Sequence, residues 1–275
     1  MRLDGRPEAL RVQGVIFDWA GTMVDYGCFA PTMVFVDGFR AHGVEITLAE
    51  ARAPMGLHKR DHIAAVLAIP RVRDAWASAY GAAPADADVQ RVYEDFAPRQ
   101  IAVIAQYAEP IPGVVDMAAA LRTRGVKIGS TTGYTRAMLD ALMPVAAARG
   151  YEPDASVAAD EVPAARPAPW MAFMNAMMLD VYPMAALVKV GDTPVDITEG
   201  LNADMWTVGV AQTGNELGLS AAEVAALSAA ELAARLRPIQ ERLHHAGAHY
   251  VIDSAADLLL VLDDIDRRLA AGELP

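Results

Sequence analysis

Residues 10–22 read LRVQGVIFDWAGT, a short apolar run that stops at a carboxylate and a glycine. A buried strand that ends in a loop has this pattern. Two later runs have the same form, since residues 126–129 lead into STTG at 130–133 and residues 186–190 lead into Gly191-Asp192. We therefore predict three strands, each with polar side chains just beyond its carboxyl end.

Helical patterns and two further strands accompany these runs. Helices are expected over Val114–Arg124, Arg136–Ala148 and Trp170–Asp180, and strands over Met205–Val210 and Tyr250–Ile252. Strand alternating with helix is typical of the α/β class and favours a doubly wound parallel sheet. Ligands of such sheets bind beyond the carboxyl ends of the strands, where this chain places its polar stretches.

Between about Phe29 and Pro110 helical periodicity continues without a convincing strand. The expected helices there are Ala30–His42, Thr47–Arg52, Lys59–Ala68, Arg71–Tyr80 and Asp88–Tyr107. We predict an α/β core over residues 1–27 and 108–275 and an inserted α-helical cap domain over residues 28–107. An insertion directly after the first strand is placed to close over the active edge of the sheet as a lid.

The composition limits the partners. The chain has 275 residues, of which 54% are hydrophobic, and a net charge of −12; this is typical of a globular protein and argues against nucleic acid as a partner. One cysteine excludes an intramolecular disulfide, and the first residues lack the apolar centre of a signal peptide. No stretch approaches the roughly 20 apolar residues that span a bilayer. We expect a cytoplasmic protein that acts on a small molecule.

Three carboxylates follow predicted strands: Asp18 after the first, and Asp192 and Asp196 after the run at 186–190. A carboxylate at the end of a buried strand is costly to ionise without a cation or hydrogen-bond donors nearby. Oxygen ligands from separate loops suit Mg²⁺, which usually takes one or two protein carboxylates. The alternative for each single aspartate is the N-cap of a helix that follows the strand.

Together, these residues resemble the haloacid dehalogenase superfamily, whose members carry four motifs in order. The motifs are a nucleophilic aspartate after strand one, a serine or threonine after a second strand, a cationic residue in a third loop and an acidic motif after a fourth strand. The matching residues are Asp18, the stretch at 130–133, Arg166 in Ala165-Arg166-Pro167, and Asp192 with Asp196. The resemblance covers nearly the whole chain, and it implies that Arg166 neutralises phosphoryl oxygens.

Two residues compete for the hydroxyl motif. Thr132 is favoured as the phosphate-binding residue because it directly precedes Gly133, and Ser130 is the other candidate. Either side chain could instead cap the next helix.

Position 20 departs from the superfamily pattern. Phosphatases of the superfamily carry a second aspartate there, which protonates the departing alkoxide, whereas this chain has Ala20. A methyl group cannot donate a proton. Either the chain is catalytically impaired, or its leaving group is not an alkoxide and needs no such acid, as when carbon leaves from a C–P bond. The phosphonoacetaldehyde hydrolase branch has alanine here, and that resemblance implies that Asp18, the Ala20 carbonyl and Asp192 bind Mg²⁺.

Residues 55–62, MGLHKRDH, match the segment in which this branch places a Schiff-base lysine, and the corresponding residue is Lys59. An amine must be neutral to attack an aldehyde, so the pKa of Lys59 should be depressed by desolvation or by Arg60 and Arg166. The alternative from spacing alone is an exposed helix face with alternating charges.

The resemblance implies further pocket residues near this lysine. His62 lies three residues on, on the same helix face, and could shuttle a proton directly or through water. Met55 is the second implied substrate-binding residue. Cys28 is expected to be a small buried or hinge residue rather than a nucleophile, because no general base stands beside it in the sequence.

The implied activity is hydrolysis of the C–P bond of phosphonoacetaldehyde, through a Lys59 Schiff base and an Asp18 aspartyl phosphate. The resemblance also implies a homodimer, formed through the cap. One alternative is a phosphatase or phosphomutase of the same superfamily that acts on a small phosphate ester, against which Ala20 argues. The other is a non-catalytic phosphate-binding or regulatory protein that kept the pocket.

Overall fold

The protein, described here for residues 10–275 by a computed structural model, is built around one sheet of six parallel strands. The strands are β1 (Gly14–Phe17), β2 (Lys127–Thr132), β3 (Ala155–Ala158), β4 (Leu187–Gly191), β5 (Trp206–Val210) and β6 (Tyr250–Ile252). Their order across the sheet is β3-β2-β1-β4-β5-β6. The direction of winding reverses at β1, and ligands of open α/β sheets bind beyond the carboxyl ends of the strands at such a point.

The strand register brings the predicted polar residues to one edge. Phe17, the last residue of β1, pairs with Ser130 of β2 and with Val190 of β4. The chain therefore leaves these three neighbouring strands at nearly the same level, with Asp18, Thr132 and Asp192 just beyond the paired residues.

Helices cover the sheet and follow its first strand. Five consecutive helices occupy the segment after β1: α1 (Phe29–Ala41), α2 (Leu48–Arg52), α3 (Lys59–Ala68), α4 (Pro70–Tyr80) and α5 (Asp86–Ile104). The remaining helices are α6 (Val114–Thr123), α7 (Arg136–Ala148), α8 (Trp170–Leu179), α9 (Pro194–Asn202), α10 (Ala221–Ala225), α11 (Ala229–His245) and α12 (Leu259–Ala270). No sheet strand interrupts residues 28–107, so the insertion is all-helical.

The α/β fold class is confirmed, with two corrections in detail. The polar stretch at 130–133 is not a loop, because β2 continues through Thr132. Strand β3 was not predicted, because its sequence ASVA is short and made mostly of small residues that give little pattern. Helices α3 and α7 have the predicted bounds.

The two ends of the helical insertion lie side by side. The Asp25 amide donates to the Glu109 carbonyl at 3.3 Å, and the Ile111 amide donates to the Met23 carbonyl at 2.9 Å. The cap boundaries at residues 28 and 107 stay a prediction that these contacts support. Residues 1–9, which we assigned to the core and in which we expected no signal peptide, lie outside the described residues. Within residues 10–275, no helix combines the length and the apolar character needed to cross a membrane.

Candidate active site

A cleft lies where the insertion covers the carboxyl ends of β1, β2 and β4. Seven predicted site residues line it: Asp18, Ala20, Met55, Lys59, Thr132, Arg166 and Asp192. They come from five separate segments of the chain, and the structure brings them to one place. His62, the eighth, does not line the cleft.

Asp18 leaves β1 at the floor of the cleft. Its amide donates to the Val190 carbonyl at 2.9 Å, and its Oδ1 lies 2.8 Å from Nη2 of Arg166. Burial raises the pKa of this carboxyl, and the Arg166 guanidinium opposes that rise. The carboxylate thus depends on a neighbouring cation to stay ionised.

The acidic residues at the floor fit a divalent cation. Asp18, Asp192 and Asp196 each offer an oxygen, and these atoms lie within 4.8 Å of one another. Burial, Asp18 and Asp196 raise the pKa of Asp192 well above its usual range. This arrangement leaves negative charge that a bound cation would neutralise, and oxygen donors suit a hard divalent ion. Haloacid dehalogenase-like hydrolases generally use one.

Asp196, whose role the sequence left open, is engaged by protein cations. Its Oδ1 lies 2.9 Å from Nη1 of Arg166 and 3.0 Å from Nζ of Lys189. Its Oδ2 accepts from the Thr193 hydroxyl at 2.6 Å. Burial opposes ionisation, but Arg166 and Lys189 outweigh it and lower the pKa of Asp196. Its oxygens are therefore less available for a metal than those of Asp18 and Asp192.

The helix-cap alternative fails for the two aspartates that face the cleft. Thr193 is the N-cap of α9, with Asp196 as the N3 residue of its capping box. Asp192 lies just before that cap, and its Oδ2 instead accepts from the Asn215 amide at 2.7 Å. Asp18 precedes no helix start, since α1 begins only at Phe29.

The structure separates the two hydroxyl candidates. Ser130 is buried, and its Oγ accepts from Nε1 of Trp19 at 2.8 Å and lies 2.5 Å from Oγ of Ser156. Thr132 lines the cleft, and its Oγ1 accepts from the Tyr134 amide at 3.1 Å. Neither caps the next helix, because Thr135 does so. Only Thr132 is positioned to contact a ligand.

Lys59 is the first residue of α3 and is only 3% exposed. Its Nζ lies 5.0 Å from the ring centre of Tyr134 and 5.7 Å from that of Phe35. Burial, assisted by Arg166, lowers the pKa of Lys59 to about 8, although Cys28 and Asp18 oppose this. The alternative of an exposed charged face is wrong for this residue, because Lys59 is buried.

Arg60 is not among the largest causes of that shift. Its side chain turns outward and pairs with Asp86 at 2.5 Å and with Gln90 at 3.2 Å. Desolvation is the largest cause of the lowered pKa of Lys59, and Arg166 adds to it.

His62 packs behind the cleft. Its ring stacks on Phe35 with 3.8 Å between centres, and its Nε2 lies 2.8 Å from the Ala51 carbonyl. Burial lowers the pKa of His62 well below its usual value. A neutral ring that donates from Nε2 to a carbonyl leaves Nδ1 as an acceptor, and Nδ1 has no partner among residues 10–275. His62 does not line the cleft, and its role in proton transfer, directly or through water, stays a prediction.

Cys28 marks the joint between core and insertion. It lines the cleft in the left-handed conformation (φ 54°), and burial raises the pKa of its thiol well above the usual value. Asp25, three residues earlier, accepts from the Phe29 amide at 3.0 Å and the Ala30 amide at 2.8 Å, so it caps α1. Cys28 is a buried thiol at a turn, as expected.

Two glycines let the insertion close onto the core. A Cβ on Gly133 would collide with the Leu57 carbonyl, and one on Gly56, whose φ is +95°, would lie 2.7 Å from Oγ1 of Thr193. The loop before α3 therefore lies directly on the loops after β2 and β4. This contact brings Lys59 into the same cleft as Asp18.

Sequence reasoning missed several residues that shape the site. Tyr134 borders the cleft beside Lys59, and Thr131, Lys189 and Glu199 lie beneath it around Arg166. One signal was present: Lys189 is the single charged residue in an apolar run, and a lone charge in a buried strand requires a partner.

Comparisons with known proteins agree with this geometry. The family model of the haloacid dehalogenase-like hydrolases matches residues 12–204. The phosphonoacetaldehyde hydrolase of Paraburkholderia phytofirmans is 51% identical over 96% of this chain and 99% of its own length, and that of Nitratidesulfovibrio vulgaris is 49% identical over 96% and 94%. The crystal structure of a phosphonoacetaldehyde hydrolase-like protein from Oleispira antarctica is 42% identical, covers all of both chains and superposes with a TM-score of 0.96. The chain is therefore an enzyme of the haloacid dehalogenase-like hydrolases and, within them, belongs to the phosphonoacetaldehyde hydrolase family.

Proposed function

We propose that this enzyme hydrolyses the C–P bond of phosphonoacetaldehyde to acetaldehyde and phosphate. The observation that carries the proposal is the buried amine of Lys59, with a pKa of about 8, in the same small cleft as Asp18. The names of relatives about 50% identical over nearly the whole chain also support it.

Lys59 begins the reaction. Its neutral amine attacks the aldehyde carbon, the carbonyl oxygen leaves as water, and one proton from solvent gives the protonated imine. Burial favours the step because it lowers the pKa of Lys59, so an appreciable fraction of the amine is neutral near pH 7. The iminium is an electron sink one carbon away from the C–P bond.

Asp18 then attacks phosphorus. An oxygen of its carboxylate forms a bond to phosphorus while the C–P electron pair moves toward the iminium nitrogen and leaves an enamine. Arg166, 2.8 Å from Asp18 Oδ1, and Thr132, which lines the cleft, would hold the phosphoryl oxygens. A divalent ion, which we propose to be Mg²⁺, would be held by Asp18, the Ala20 carbonyl and Asp192 and would supply further charge stabilisation.

Water completes the cycle. One water molecule hydrolyses the aspartyl phosphate to phosphate and the Asp18 carboxylate. The enamine takes a proton at carbon, and a second water hydrolyses the resulting imine to acetaldehyde and free Lys59. Imine formation released one water, so the net reaction consumes one.

Ala20 separates this reaction from that of a phosphate ester hydrolase. It lines the cleft two residues after the nucleophile, where ester hydrolases of the superfamily need an acid for the alkoxide. A carbon leaving group stabilised as an enamine needs no proton at that moment. The phosphatase or phosphomutase alternative lacks such support.

The test is to trap the imine. The protein is incubated with phosphonoacetaldehyde, Mg²⁺ and borohydride, and the modified peptide is mapped by mass spectrometry. Wild type should carry a reduced two-carbon adduct on Lys59, and Asp18→Asn should carry the same adduct with the phosphonate still attached. Lys127, an exposed lysine of the same chain, is the internal control. Phosphate release without any adduct on Lys59 would favour the ester hydrolase instead.

The predicted homodimer is also a proposal. Exposed large apolar side chains of the core include two on α8 and the loop after it, Met177 (73% exposed) and Tyr182 (87% exposed). Exposed apolar patches often mark interaction sites, and this one lies on the core rather than on the cap that we expected. Light scattering of wild type and of Met177→Ser with Tyr182→Ser tests both points.

A further inference from the structure

A cluster of buried charges lies directly beneath the cleft. Its two cations, Arg166 and Lys189, and its two anions, Asp196 and Glu199, are at most 4% exposed. Arg166 comes from the loop after β3, Lys189 from β4, and both acids from α9. Charges this deeply buried are tolerated only when they compensate one another.

The two cations share the same two oxygens. Arg166 places Nη1 2.9 Å from Asp196 Oδ1 and Nε 3.0 Å from Glu199 Oε2. Lys189 places Nζ 3.0 Å from the first of these oxygens and 3.1 Å from the second. Its ammonium also donates to Thr131 Oγ1 at 2.8 Å. Each of the two acids therefore pairs with Arg166, which faces the cleft, and with Lys189, which does not.

The fold makes room for this lysine. A Cβ on Gly200 of α9 would lie 2.8 Å from Lys189 Cβ and 3.1 Å from its Cγ. The helix that supplies both acids therefore has a glycine where the lysine stem passes. The ammonium reaches the acids from below while Arg166 reaches them from the cleft side.

We propose that Lys189 is a positioning residue that sets the charge of the cleft floor. Its ammonium balances one of the two acids, so the guanidinium of Arg166 balances the other and the cluster beneath Asp18 is neutral. Without Lys189, Arg166 would face two carboxylates alone and the floor would be negative. A negative floor weakens binding of a phosphoryl group and strengthens binding of a cation.

This inference rests on the proposed function only in that the cleft binds a phosphoryl group. Inorganic phosphate, a product of both the phosphonate and the ester reaction, is therefore the probe. Calorimetric titrations give its affinity for the Mg²⁺-loaded enzyme and, separately, the affinity of the enzyme for Mg²⁺. Neither titration needs turnover, so failure of the imine test leaves this one intact.

Lys189→Gln, Glu199→Gln and the double variant form a charge cycle. We expect Lys189→Gln to weaken phosphate binding at least about tenfold and to tighten Mg²⁺ binding, and Glu199→Gln to shift both in the opposite direction. The double variant restores neutrality and should return phosphate affinity to within about threefold of wild type. Lys127→Gln, which removes an exposed lysine, should change neither affinity.

A purely structural role predicts a different pattern. Lys189→Gln would then weaken both ligands, and the double variant would bind no better than the worse single variant. Either result, or unchanged phosphate affinity in a folded Lys189→Gln protein, would overturn the proposal. Should Lys189→Gln fail to fold, Glu199→Gln decides alone, since phosphate binding that is not tightened would contradict a charge-setting cluster.

Discussion

The roof of the cleft, which the helical insertion forms, and the floor, which the core forms, each contain a buried lysine. The surroundings of the two lysines differ. Lys59 in the roof faces the rings of Tyr134 and Phe35, whereas Lys189 in the floor contacts two carboxylates and a hydroxyl. The chain has only three lysines, so two of them are buried at this site. Burial without an ion pair makes an amine easy to deprotonate, whereas Lys189 is ion-paired with both acids. One lysine is thereby suited to chemistry and the other to electrostatics.

The largest expected effect lies at the floor, on Asp18. Asp18→Asn keeps the shape of the side chain but removes the nucleophilic oxygen, so we expect activity to fall at least about 10⁴-fold. Circular dichroism should show an unchanged fold. Phosphate release assays under saturating Mg²⁺ measure the loss, and residual activity well above background would remove Asp18 from the nucleophile role.

The matching change in the roof is Lys59→Arg. The guanidinium keeps the positive charge but cannot form an imine at neutral pH, so we expect activity to fall at least about 10³-fold. The borohydride adduct should disappear with it. Appreciable turnover by this variant would show that the buried amine is not the reacting group.

Replacing the two lysines should change the free energy of unfolding in opposite directions. The pKa of Lys59 is about 8 in the folded protein and 10.5 in the unfolded chain. The free energy of unfolding therefore rises as pH increases from 8 to 10.5, and this gain is lost as pH falls back through 8. Lys59→Met should therefore stabilise the protein at pH 7 by about 3 kcal/mol. Lys189→Met leaves two acids facing one cation and should destabilise it by about 3–5 kcal/mol. Urea unfolding at pH 7 measures both, and changes of equal sign would contradict the contrast.

The pKa of the roof lysine should appear in the pH dependence of the rate. Imine formation needs the neutral amine, so kcat/KM should rise about tenfold per pH unit below pH 8 and level off above it. Steady-state rates between pH 6 and 9 at fixed Mg²⁺ test this, and a flat profile through pH 8 would argue against Lys59 as the titrating base.

The smallest expected effect concerns Ala20. Ala20→Asp restores the acid of the phosphatases, but a carbon leaving group does not use it, so phosphonate cleavage should not improve. A large gain in the phosphate release assay would mean that an alkoxide is the natural leaving group.

Local sequence patterns were sufficient to predict most secondary-structure elements and the order of the site motifs. Helices α3 and α7 have the bounds that hydrophobic periodicity predicts, and Asp18, Thr132, Arg166 and Asp192 follow motif order along the chain. Periodicity depends on neighbours within a turn or two, so the sequence reports it directly. The short strand β3 is the exception, because four small residues carry little of that signal.

The sequence by itself thus determined an α/β sheet with a helical insertion and a set of residues fit for phosphoryl chemistry. Only the tertiary structure decided that Lys59 is buried, that Ser130 supports Trp19 while Thr132 faces the cleft, and that Asp196 pairs with Arg166 and Lys189. Each of these outcomes depends on contacts between residues distant in the chain. Burial and charge pairing are properties of that packed arrangement, and no local pattern encodes them.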